Sequence, residues 1–369
     1  MTTKSLNTDP QKRLLSLDAL RGFDMFWITG GSALFFAISV LTGTDWLGNQ
    51  MRHVEWAGFG LHDLIFPVFM FIAGIAIPFS IQSKLEKNIP QRRLFLKALK
   101  RGLALILLGI LYNGTFSGNF LEGRMASVLG QIGIAYFFAA VITIYFPGMK
   151  SKLFWLGGIL IGISIIQLFI PVPGIGAGIL TPEGCINGYI DRALLPGTLC
   201  YGTFDPEGIL CSLSATGITL MGTLAGHILR NKKTGDWKKL EYLAIIGVAG
   251  IILAISLSSF YPIIKKCWTT TFNLLAGGIG FLLIALFYLI IDHWGFQKWA
   301  FYFRVIGMNC IFVYLFNRMV SVPIITNFFL GGIAKPFGSD NNLILLIGNL
   351  IFIWLLLYYM YKKKIFLRL

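Results

Sequence analysis

Few residues in this chain could do chemistry, and one cluster of them stands out. His53 lies in the stretch RHVEWAGFGLHDLIFP (52–67), and an imidazole titrates in the range that suits a general base or a nucleophile. Asp63 follows ten residues later at the start of an apolar run. A carboxylate there either orients the imidazole or simply favours a helix N-terminus. Gly58 and Gly60 let backbone approach a ligand, and free N–H groups at that helix end are expected as donors to an oxyanion. A lone loop histidine is more often solvated than catalytic, so both readings stand open on spacing alone.

A second cluster opens the first apolar run, SLDALRGFDMFW (16–27), with Asp18, Arg21 and Asp24 three residues apart on one helix face. An unpaired charge deep in a bilayer costs about 2.5–3.5 kcal/mol on insertion scales. The trio is therefore expected either to pair and fix helix packing or to face a polar cavity. Asn113, Gln131, Gln167, Asn273, Asn309, Asn317, Arg304 and Arg318 interrupt other apolar runs. Their amides and guanidinium groups either line an internal cavity or bond between helices. The chain holds no GxGxxG, P-loop, HExxH or GxSxG, and neither CxxC nor Cys/His metal spacing, so no metal site is expected.

The elements that must position these residues follow from composition. The 369 residues are 56% hydrophobic and 13% charged, with a mean hydropathy of +0.74. Soluble domains are about 25% charged, so disorder, a disulfide scaffold and an ordinary cytosolic enzyme are excluded. A crossing helix needs roughly 20 mostly apolar residues. Segments near 17–41, 60–82, 94–112, 127–147, 153–170, 208–230, 241–260, 270–291, 300–319 and 343–361 qualify. The fold expected is all-α: a single domain over 1–369, a polytopic membrane helix bundle of about ten transmembrane helices. The stretch 321–333 is too short to span and reads as re-entrant or interfacial. The polar N-terminus, and Asp24 within the first apolar run, argue against a cleaved signal peptide.

With the N-terminus placed in the cytoplasm, most of the 31 Lys and Arg fall on the cytoplasmic side of alternating loops. Only Arg52, Arg124, Arg192, Lys265, Lys266 and Lys335 fall outside. The net charge of +15 is then the positive-inside rule at work, not a nucleic-acid signal, and both termini are expected to be cytoplasmic. The outside face carries the longer loops, above all 171–207, rich in Gly and Pro. Cys185 and Cys200 in that loop could form a disulfide in an oxidising compartment or remain packed thiols.

The block SLDALRGFDMFW, followed by His53-x-x-Trp56-x-Gly58 and by Asp63-Leu-Ile-Phe-Pro67, resembles the heparan-α-glucosaminide N-acetyltransferase family and its bacterial relatives among the transmembrane acyltransferases. The resemblance continues in order through Arg124 and VLGQIGIAYF (128–137), GYIDRALL (188–195) and FDPEGIL (204–210). It runs on through CWTTTFNLL (267–275) and GMNCIFVY (307–314) to YKKKIFLRL (361–369). It implies transfer of an acetyl group from cytosolic acetyl-CoA to the amine of a glucosamine-type sugar across the membrane. The family's catalytic histidine falls on His53, and Asp63 is the candidate taken with it from the residues above. It further implies a homodimer in the bacterial inner membrane, with the His53 loop periplasmic.

Trp56, Arg124 and Asn309 are then expected at the sugar, Trp56 either stacking on its ring or anchoring at the interface. Lys97, Lys100, Arg101 and Arg304 are candidates for the CoA phosphates by charge and side, or else determinants of topology that touch lipid phosphates. An active-site Asn that the lysosomal enzyme carries late in the first shared helix is absent here, where the sequence reads ITGGSALF with Thr29 and Ser32. A sugar permease or flippase, and O-acyl transfer, are the alternative functions.

Overall fold

The computed structural model describes residues 14–114, 122–337 and 342–367. Lys4, Lys12, Arg13 and Arg368, which enter the charge argument, lie outside the described residues. Among the described residues the fold is all-helical, and each apolar segment expected above forms a helix or, at 300–319, two. The first runs from α1 (Leu15–Phe26) through a π-helical turn (Trp27–Gly31) into α2 (Ser32–Thr42), followed by a short α3 (Asp45–Gln50). Then come α4 (Leu61–Ile77), α5 (Ser83–Leu85), α6 (Gln91–Tyr112), α7 (Val128–Tyr145) and α8 (Met149–Phe169). The second half holds α9 (Ile186–Leu194), α10 (Ile209–Arg230), α11 (Asp236–Leu257), α12 (Thr270–Phe287), α13 (Ala300–Gly307), α14 (Cys310–Met319), α15 (Val322–Ala334) and α16 (Leu343–Lys362).

Among the described residues, 8 helices are long and apolar enough to cross a membrane, or up to 9 if a bent pair is one span. Two of the ten expected crossings stand apart. Helix α6 has 22 residues, but Lys97, Lys100 and Arg101 lie in its apolar part. The segment 300–319 is not one rod: α13 and α14 meet at 71°, broken at Met308–Asn309. The loop 171–207 is not all loop either, since α9 forms inside it. All five cysteines are unpaired: Cys185 is buried and Cys200 exposed, so the Cys185–Cys200 bond is absent from this structure. Cys185 packs instead with Cys267, Phe204 and Ile264.

Lipid offers helices no hydrophobic drive to associate, so small residues that admit close backbone contact set the packing. Helix α10 shows this at the centre of the bundle, with 89% of its apolar window buried. A Cβ on Gly222 would lie 2.0 Å from Phe71 O, and one on Gly74 of α4 would lie 2.1 Å from Thr219 O. The two helices therefore touch backbone to backbone, and the Phe71 ring packs edge-on against Phe281 of α12 at 5.0 Å. Helices α1 and α13 meet in the same way, a Cβ on Gly22 falling 1.7 Å from Phe303 O. The Asp292 carboxylate accepts from Leu15 N (3.3 Å) and Ser16 N (3.2 Å), which tethers the start of α1.

Asn113, Gln167, Asn273 and Asn309 bond across elements, whereas neither side-chain amide atom of buried Gln131 has a hydrogen-bond partner. Gln167 donates to Asn187 Oδ1 (2.9 Å) and Cys267 O (2.8 Å), and Asn273 donates to Ser214 Oγ (2.7 Å). Asp18 pairs with Arg21 at 3.7 Å. Asp24 differs: it is buried, its Oδ2 has no hydrogen-bond partner, and it lines an internal cavity described below.

Candidate active site

The loops after the first, third, fifth and seventh expected crossings converge at one end of the bundle, as the alternation requires. They bring together His53, Arg124, Glu207 and Lys265. Asp63, on the first turn of α4, organises the cluster from a nearly inaccessible position (2% exposed). Its Oδ1 accepts from His53 Nδ1 (2.6 Å) and from Lys265 Nζ (3.1 Å). Its Oδ2 accepts from Val54 N (3.2 Å) and Gly60 N (3.4 Å). A buried carboxylate is tolerated when its lone pairs are filled in this way. Lys265 Nζ also lies 3.1 Å from His53 Nδ1. That nitrogen cannot accept from the ammonium while donating to Asp63, so the shorter carboxylate bond fixes the tautomer. His53 Nε2 then carries the lone pair, on a side chain that is 53% exposed. An imidazole held by a buried carboxylate at one nitrogen and open at the other is built to accept a proton.

The turn that delivers Lys265 is itself constrained. A single 3₁₀ turn (Lys265–Cys267) ends on Trp268 with φ of +49°. A bulky residue in the left-handed region costs on the order of 1–3 kcal/mol and persists only where its surroundings over-determine it. Here the Trp268 ring is enclosed by Phe66 (5.7 Å) and Phe272 (5.4 Å), and its carbonyl accepts from Ser214 Oγ at 2.6 Å. Burial lowers the pKa of the Lys265 ammonium, and Asp63 opposes that shift.

Two cavities meet at His53. An inner one of about 450 Å³ is mostly apolar and is lined by Ser32, His53, His62, Ile132, Cys310 and Tyr314, among others. A smaller outer one, about 150 Å³, is lined by His53, Trp56, Arg124, Tyr201, Glu207 and Lys265, among others. His53, Phe66, Glu207 and Lys265 belong to both. In the outer wall Trp56 donates from Nε1 to Leu180 O at 2.6 Å and packs edge-on against Phe204. Arg124 binds Asp205 through Nε (2.8 Å) and Nη2 (2.7 Å) and also binds Glu207. One guanidinium thus serves two carboxylates. Burial raises the Glu207 pKa to about 7, Arg124 opposing.

The remaining candidates lie elsewhere. Lys97, Lys100 and Arg101 line a separate hollow of about 400 Å³, where Arg101 stacks over Tyr136 at 4.3 Å. Tyr136 is one turn along α7 from Ile132 of the inner cavity. Arg304 is on α13 against α1 and does not line that hollow. Asn309, expected at the sugar, instead donates to Ile365 O (3.1 Å) and accepts from Leu367 N (3.0 Å), holding the C-terminal tail. The amides proposed for an oxyanion are occupied: Gly58 N donates to Ile263 O (2.9 Å), Gly60 N to Asp63, and Leu61 N to Gln50 Oε1 (3.1 Å). Lys265 and Glu207 were missed as site residues. The signal for Lys265 was its place among the few cations on the outer side.

No protein-family model matches the chain. It is 29% identical over 98% of its length to mouse (Mus musculus) heparan-alpha-glucosaminide N-acetyltransferase. It is 26% identical over 96% of its length to the human (Homo sapiens) protein of the same name. The matched regions are 62% and 59% of those relatives, so the chain spans about three fifths of the curated proteins it matches. The similarity supports the family-level relationship that the motifs suggested.

Proposed function

We propose that this chain is a membrane-embedded acetyltransferase that moves an acetyl group from acetyl-CoA to the amine of a glucosamine-type sugar, with His53 as general base. The observation that carries the reading is the His53–Asp63 pair at the junction of a mostly apolar cavity and a smaller, more polar one. The apolar inner cavity suits the pantetheine arm and its thioester. The outer one, walled by Trp56, Tyr201, Arg124 and Glu207, suits a sugar. Because the cavities share His53, both substrates fit at once, which favours direct transfer over a transient acetyl-histidine.

In this reading the neutral amine attacks the thioester carbonyl and a C–N bond forms as the C–S bond breaks. His53 Nε2 takes the amine proton and returns it to the departing sulfur. Asp63 keeps the imidazole in the accepting tautomer and stabilises the imidazolium. Lys265 offsets the Asp63 charge while His53 is neutral. Lys97, Lys100 and Arg101 hold the CoA phosphates at the other end of the bundle, so the donor enters from the cytoplasm and the His53 loop faces the periplasm. The similarity to N-acetyltransferases supports the reaction class.

The test is acetyl-CoA consumption with glucosamine by the purified protein. Production of N-acetylglucosamine that His53→Ala abolishes is expected. Full turnover by His53→Ala would place the chemistry elsewhere, and counterflow of labelled sugar without acetyl-CoA would favour a permease.

A further inference from the structure

The Gly58, Gly60 and Leu61 amides are occupied, so the charge that develops on the acetyl oxygen needs another donor. His62 lies beside His53 on the wall of the inner cavity. It precedes Asp63 on the first turn of α4, and its ring centroid lies 4.4 Å from that of His53, with the planes at 63°. It lines the 450 Å³ inner cavity and also a second internal cavity of about 240 Å³ that reaches Asp24. Its Nδ1 lies 3.1 Å from Ser32 Oγ. Ser32 sits immediately after the π-helical turn in the first span, where Gly30 takes φ of +135°, and it lines both internal cavities. Such π-helical turns recur where a helix must aim a side chain at a functional site.

We propose that His62 is a second catalytic residue: it donates a hydrogen bond from Nε2–H to the acetyl carbonyl oxygen as negative charge develops there. The inference rests on acetyl transfer at His53 and deepens it. In this proposal the Ser32 hydroxyl takes the donor role toward Nδ1, which puts the ring proton on Nε2, the nitrogen offered to a ligand. The two adjacent histidines are thereby set in complementary states. Asp63 accepts from Nδ1 of His53 and leaves its Nε2 as a base, while Ser32 donates to Nδ1 of His62 and leaves its Nε2 as a donor. As the amine nitrogen bonds to the carbonyl carbon, the carbonyl π pair moves to oxygen and is held by His62. It then returns to expel the sulfur with the C–S pair, and His53 carries the amine proton to that sulfur. Removing one such donor lowers turnover about 100- to 1,000-fold.

The experiment compares His62→Phe, His62→Gln and Ser32→Ala in the full-length purified protein, with acetyl-CoA and glucosamine as probes and thermal midpoints as the check on folding. His62→Phe is expected to lose about 100-fold or more in kcat, with both KM values within about twofold of native. His62→Gln, which keeps an N–H donor, is expected to recover at least about tenfold of that loss. Ser32→Ala, which frees the tautomer, is expected to fall several-fold in kcat alone. Turnover by His62→Phe within twofold of native, a His62→Gln variant as slow as His62→Phe, or a loss confined to KM would each overturn the inference. Should His62→Phe fail to fold, His62→Ala, which also lacks the donor, takes its place on the same terms. Native activity lost in His53→Ala but kept in His62→Phe would sink this inference alone. Activity surviving in His53→Ala would sink the reading beneath it.

Discussion

At the His53 end of the bundle the charges are matched: Asp63 holds His53 and Lys265, and Arg124 holds Asp205 and Glu207. At the other end Lys84, Lys97, Lys100 and Arg101 crowd one hollow with no carboxylate among its lining residues. The first arrangement suits a reaction centre, whose groups are preorganised in a low-dielectric setting. The second is an unneutralised field that attracts an anion and falls off with salt. Under the proposed function, chemistry and recognition of the donor sit at opposite ends of the bundle.

That contrast can be broken at either end. The largest effect is expected at His53, where replacement by Ala should lower kcat about 100- to 10,000-fold, read as acetyl-CoA turnover at saturating substrate. Asp63→Asn removes the charge that selects the His53 tautomer and leaves Lys265 beside a neutral amide. It should approach the His53→Ala rate while retaining acetyl-CoA binding, which calorimetric titration would check. Replacing Lys97, Lys100 and Arg101 together by Ala should raise KM for acetyl-CoA about tenfold. Its kcat should be nearly native and the salt dependence of kcat/KM flattened. A kcat defect of the size seen for His53→Ala in that triple variant would erase the distinction between the two ends.

The pH dependence of stability sharpens the comparison at Glu207. Its carboxyl is held up to about 7 in the folded protein, against about 4.3 in an unfolded chain. Between those values the folded state binds more protons than the unfolded one, so this group's contribution falls as pH rises through that window. Glu207→Gln, which stays neutral, should therefore gain in thermal midpoint relative to native as pH rises from about 4.5 to 7, with no gap below it. The smallest effect is expected at Trp56. Trp56→Phe keeps an aromatic wall but loses the bond to Leu180 O, at a cost of about 1 kcal/mol in stability, and should raise the sugar KM a few-fold.

How much of this was legible in the sequence depends on how far each partner lies along the chain. The apolar runs gave every crossing helix, because a bilayer imposes length and composition locally. The break between α13 and α14 was missed since Met308 and Asn309 interrupt the run only briefly. Helix α9 was missed because INGYIDRAL is short and mixed in polarity. Asp63 was readable as a companion for His53, being only ten residues on, in the first turn of the helix that follows its loop. Lys265, 212 residues from His53, could be placed only by the fold. The Gly58 and Gly60 amides looked free because their acceptors, Ile263 O and the Asp63 carboxylate, are invisible to spacing. Residue type and motif point Arg304 and Asn309 toward the substrates, whereas tertiary packing sends them to α1 and to the C-terminal tail.

Sided transfer in proteoliposomes tests the account most directly. With vesicles oriented by labelling a cysteine introduced at exposed Asn49, ahead of His53 in the same connection, in a Cys200→Ser background, radiolabelled acetyl-CoA is supplied on the side away from His53 and glucosamine on the same side as it. The account predicts labelled N-acetylglucosamine on the residue-53 side, none with His53→Ala, and none when both substrates are confined to that side. Product that forms only when donor and acceptor share one compartment would contradict it.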